Sequence, residues 1–160
     1  MLKATLIACL FFLALGGWLL HLRTHPLVQA EENMIPFLAG IASVLILPFL
    51  FWFKRTINFA YILNGFLVII GTITMAHFSY VHFKGPVTLA GILMNTTCAD
   101  IMLSWGKFIA GKALFDLEPL RAETDLTIRG RFFRYPNMGW WWVHLIVLTA
   151  VYALGHIIWR

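Results

Sequence analysis

The chain has 160 residues, of which 61% are hydrophobic and only 12% charged. A soluble domain carries about 45–50% apolar and about 25% charged residues, so this composition cannot furnish a water-facing surface. The net charge of +5 does not point to nucleic acid, because the basic residues sit at the ends of apolar stretches and not along one stripe.

A bilayer core about 30 Å thick is crossed by about 20 mainly apolar residues. Five stretches meet that length, at about 4–22, 34–53, 57–83, 86–115 and 139–159. The expectation is an all-α, polytopic membrane bundle of about five transmembrane helices, forming a single domain over residues 1–160. Orientation follows from Lys and Arg. With the N-terminus inside and the C-terminus outside, Lys3, Lys54, Arg55, Lys107, Lys112, Arg121, Arg129, Arg131 and Arg134 are inner, and only Arg23, Lys84 and Arg160 are outer.

Span one follows Lys3 and contains Gly16 and Gly17, small residues that let another helix approach closely. Val28-Gln29-Ala30 resembles a signal-peptidase site, but the long apolar run and the intervening Arg23 and Pro26 favour a retained span. Pro48 is expected to kink span two near its inner end. Spans three and four are joined by Lys84-Gly85-Pro86, which predicts a tight hairpin and adjacent packing of the two helices.

Span four carries the most informative polar residues. Starting from Pro86, Asp100 lies about 21 Å along the helix, at 1.5 Å per residue, and so within the hydrocarbon core. Thr96, Asp100 and Ser104 recur at i, i+4, i+8 and share one helix face, which Lys107 continues. Asn95 adjoins that face, and Asn64 of span three is expected to approach it. An ionisable group inside a span is costly and points to function, such as a proton relay, an ion or substrate contact, or a quinone headgroup contact. The competing reading is a carboxyl that holds helices in register. Gly106 and Ala110 on the same span again permit close packing.

The predicted orientation gathers His21, His25, His77, His82 and His156 toward the outer side, beside Glu31 and Glu32, and leaves His144 in the inner half. His21, His77 and His156 are candidate ligands for one haem b or a metal, although no HExxH-type spacing is present. Interfacial histidines also simply meet water. Cys9 and Cys98 lie within apolar stretches and form no CxxC, which argues against a disulfide framework or thiolate site. The inner loop 116–138 alternates cations with aromatics, and Arg129, Arg131 and Arg134 are expected to contact anionic lipid headgroups. Trp140, Trp141 and Trp142 mark the inner boundary of span five, and Trp159 the outer one.

Three functions fit these residues. The first expectation is a non-catalytic or accessory subunit of a larger membrane complex, respiratory or redox in character, in a bacterial cytoplasmic (inner) membrane. The alternative is a small transporter or ion-translocating protein that uses Asp100, Asn95 and Asn64. The third is a membrane enzyme acting on a lipid-linked substrate through the basic loop, for which no nucleophile or acid/base pair is evident. Expected partners are the lipid bilayer and other membrane subunits or further copies of the chain, with no nucleic acid.

Overall fold

Apolar runs with few interior helix breakers become helices here, each ended by a turn signal or a charged segment. The computed structural model describes residues 1–24, 30–81, 88, 90, 96–121 and 136–158. Among the described residues the chain is all-helical, with no strand. Helix α1 spans Leu2–Thr24. A second rod comprises α2 (Ala30–Ile41), a π-helical turn (Ala42–Ile46) and α3 (Leu47–Trp52). Helices α4 (Ile57–Val81), α5 (Thr96–Arg121) and α6 (Met138–Ile158) complete the bundle.

Among the described residues, three segments are long and apolar enough to cross a membrane, namely Leu2–Arg23, Lys54–Met75 and Met138–Gly155. The second rod offers only the shorter apolar helix Phe37–Trp52. Helix α5 carries Asp100, Lys107, Lys112, Asp116, Glu118 and Arg121, so its polarity sets it apart from the three. The number of helical rods matches the expected five.

The predicted kink at Pro48 takes a specific form. Proline lacks an N–H, and its ring presses on the carbonyl four residues back, here that of Val44. The rod accommodates this by widening into the π turn just before Pro48, where the Leu47 N–H reaches the Ala42 carbonyl. The expected boundary at Asp116 is also revised, because α5 continues to Arg121 and the first part of the predicted inner loop is helical. A Lys112–Asp116 pair at i, i+4, 2.5 Å apart, supports that extra turn. Asn137 starts α6 by accepting the Trp140 N–H at 2.8 Å, so the helix begins at Met138, one residue before the expected start at Gly139.

Side-chain pairings show how the helices run. Gly17 lies against Asp100 and Leu103, Gly106 against Leu13, and Lys3 bonds Glu118, so α1 and α5 are antiparallel. Asn64 lies beside Lys107, whereas Gly71 lies beside Ser104, so α4 also opposes α5. Tyr61 meets Trp141 and His77 meets Tyr152, which makes α6 parallel to α4. Helices α4 and α5 do pack together, as their hairpin spacing implied, but α5 packs even more extensively on α1. The small residues Gly16, Gly17 and Gly106 lie on that α1–α5 seam.

At one end of the bundle, buried Glu118 sits 3.5 Å from Lys3 Nζ and 3.9 Å from Lys54 Nζ. This cluster ties the start of α1 and the turn at residues 53–56 to the end of α5. The same end holds an aromatic group in which Tyr61 stacks on Phe115 and receives the Trp141 indole N–H at 3.1 Å. The Tyr61 hydroxyl donates in turn to the Pro136 carbonyl, which fixes the start of α6 to α4.

Candidate functional site

The stripe predicted on span four becomes the inner face of α5. Asp100, Ser104 and Lys107 lie at spacings that keep one side of a helix facing one neighbour, and Asp100 and Lys107 are only 5% and 4% exposed. All three line a cavity of about 70 Å³ between α1, the α2–α3 rod, α4 and α5. Helix α1 contributes Gly17, Trp18 and His21 to the wall, the π turn contributes Ser43, and α4 contributes Gly71, Thr74 and Met75.

The charged groups hold different partners. Lys107 Nζ donates to Ser43 Oγ at 3.0 Å, so the π turn presents a hydroxyl to a buried ammonium. Asp100 and Lys107 are two turns apart on one face, and no ion pair within 4.0 Å joins them among the described residues. Across the seam, a Cβ on Gly17 would lie 3.3 Å from Asp100 Oδ1, so a larger residue there would press on the carboxyl group. The two groups therefore face one cavity without direct contact. A volume of about 70 Å³ exceeds the 10–15 Å³ or so that one water requires, leaving room for several.

Asn64 arrives where the sequence placed it. It is fully buried, and its Nδ2 donates to the Lys107 carbonyl at 3.4 Å, while its Oδ1 has no hydrogen-bond partner among the described residues. Trp18 supplies a second such atom, a buried Nε1 on a residue of the cavity wall. Gly40 makes this wall possible, since a Cβ there would fall 2.1 Å from the Trp18 ring. Thr96 begins α5 one turn before Asp100, and Asn95 lies outside the described residues.

The histidines separate. His21 is buried on the cavity wall, its Nδ1 3.4 Å from Met75 Sδ. His77 follows Met75 by two residues, about 200° around α4, and pairs with Tyr152 of α6 instead. The structure thus turns two of the three candidate haem ligands toward different neighbours, and the side chain of His156 lies outside the described part of the chain. His144 stacks on Trp140, with centroids 3.6 Å apart, and its Nδ1 bonds that residue's carbonyl at 2.7 Å. Among the described residues, no group of three or more His, Cys, Asp or Glu side chains is arranged to hold a metal. Arg129, Arg131 and Arg134 lie outside the described residues, together with most of the predicted headgroup-binding loop.

His21 was expected as a haem or metal ligand among the outer histidines and not beside Asp100, although its spacing from Gly17 and Trp18 sets it on their face of α1. Ser43 carried no sequence signal, since the π turn alters the rod's phase just where Ser43 meets Lys107. Comparison of the chain with protein-family models, with curated proteins and with solved structures finds no match. The chemistry is therefore read from the cavity alone.

Proposed function

We propose that the chain is a five-span integral membrane protein, N-terminus inside and C-terminus outside, that moves a small ion through the cavity bearing Asp100 and Lys107. One observation carries this reading: two ionisable side chains of opposite sign are buried within one helical bundle and line the same cavity. Charges in such a setting are costly and are retained where they line a substrate or ion pathway. A carboxyl that only held helices in register would be expected to bond a neighbouring helix directly, whereas Asp100 faces the cavity. The alternating helix directions and the clustering of Lys3, Lys54 and Glu118 at one end are compatible with the proposed topology.

A second reading, an accessory subunit of a larger membrane assembly, draws on α6. That helix gives Trp141 and Leu145 to the core but leaves Val143, Ile146, Val147, Val151 and Leu154 exposed, a face that either lipid or a partner helix would cover. Reconstitution separates the two readings. The chain alone in proteoliposomes is expected to conduct, and Asp100→Asn to lower the flux about a hundredfold, the low end of what a positioned acid/base contributes. The double variant Asp100→Asn with Lys107→Met serves as a folded, charge-balanced control. Wild-type flux from Asp100→Asn would overturn the pathway through Asp100, and absence of flux under every condition would overturn the transport reading. Flux only in the presence of co-purified subunits would favour the second.

A further inference from the structure

Given the reading of the cavity as an ion pathway, we infer that the ion is the proton and that Lys107 excludes metal cations. The cavity offers a metal ion very little. Asp100 is the only carboxylate among the described lining residues, and the Lys107 ammonium on the same wall offsets that charge. A dehydrated cation would thus meet no net attraction and a like charge at short range. Moreover, the described residues contain no cluster of side chains suited to a metal.

A proton is better served. The space of about 70 Å³ has room for several waters, and the hydroxyls of Ser43 and Ser104 both donate and accept. The titratable groups facing Asp100 are Lys107 on its own helix and His21 on α1; the π turn and α4 add Ser43, Thr74 and Met75, none of which ionises near neutrality. In each transfer, Asp100 takes a proton from a cavity water and later returns it to water, one O–H bond forming as another breaks. The Lys107 ammonium balances the carboxylate when Asp100 is ionised.

The route past Lys107 also suits a proton better than a hydrated ion. Leu10 and Phe51 are fully buried and Leu114 nearly so, and together they occupy the interior between the level of Lys107 and that of Glu118. A Cβ on Gly111 would lie 3.1 Å from Phe51 Cζ, so little space remains at that level. Passage at this level requires these side chains to part transiently, and a file of waters that carries a proton needs a smaller opening than a hydrated cation.

The test is a pair of flux measurements on the full chain in liposomes. An entrapped pH dye under a potassium–valinomycin clamp reports protons, and radioactive sodium reports the cation. The expected result is proton flux with sodium uptake at the level of empty vesicles. Lys107→Met should raise sodium uptake above that level, and Lys107→Arg, which keeps the charge, should not. Sodium flux without proton flux in the wild type would overturn the inference while leaving the ion-pathway reading in place. Absence of both would overturn the reading itself, and with it the inference. Sodium exclusion retained by a folded Lys107→Met protein would overturn the role given to Lys107.

Discussion

Asp100→Leu alone should cost about 3 kcal/mol of stability, and adding Lys107→Met should recover most of the loss. Both side chains are buried in the same cavity wall, so removing the carboxylate leaves a buried ammonium hydrogen-bonded to the Ser43 hydroxyl with no counter-charge among the described lining residues. Breaking a buried pair costs about 3–5 kcal/mol, chiefly through the charge left behind, and replacing both members by apolar residues of similar volume is often close to neutral. The lower end applies here, because Asp100 and Lys107 interact across the cavity and not at contact distance. Reversible unfolding in mixed detergent micelles would measure both variants. Equal losses from Asp100→Leu and from the double variant would mean that the two charges are independent, contrary to the geometry.

Gly65→Val should destabilise the bundle as strongly, and through packing alone. A Cβ at Gly65 would lie 2.4 Å from the Trp141 ring, well inside any tolerable contact. Trp141 cannot easily move aside, since it meets Tyr61, Phe66 and Phe108 edge-on or tilted and bonds the Tyr61 hydroxyl. Overpacking of this kind costs about 1–3 kcal/mol and forces backbone shifts. The loss should shrink when Trp141→Phe is added, because a smaller ring frees the space next to residue 65. Thermal melts in detergent that show Gly65→Val at wild-type stability would refute the α4–α6 contact.

Much of this arrangement was legible in the chain. The i, i+4 spacing of Asp100 and Ser104 put them on one face before any packing partner was known, and Lys107 and Asn64 joined them as expected. Gly16, Gly17 and Gly106 likewise signalled a close helix seam, although not that α1 and α5 would share it. What escaped were the relations that depend on three-dimensional phase. The Lys3–Glu118 bond joins residues 115 positions apart. Ser43 reaches Lys107 from a π turn that no 3.6-residue periodicity describes. His21 and His77 looked equivalent because both fall near one end of the bundle, yet a two-residue step on α4 sends Met75 toward His21 and His77 toward α6. Gly65 carries no such signal, because Trp141, the ring that lies across it, is distant in the chain.

The central claim is that Asp100 faces a wet cavity inside a membrane-spanning bundle. Ser104 lines that cavity on the same face of α5 as Asp100, so its substitution reports on the space directly. With Cys9 and Cys98 replaced by serine, Ser104→Cys in sealed membranes should react with a small, membrane-impermeant thiol reagent. The reaction should be slower than at an exposed loop cysteine, and prior addition of the reagent should slow proton flux. A Ser104→Cys protein that is folded yet wholly unreactive from either side of the membrane would contradict the account.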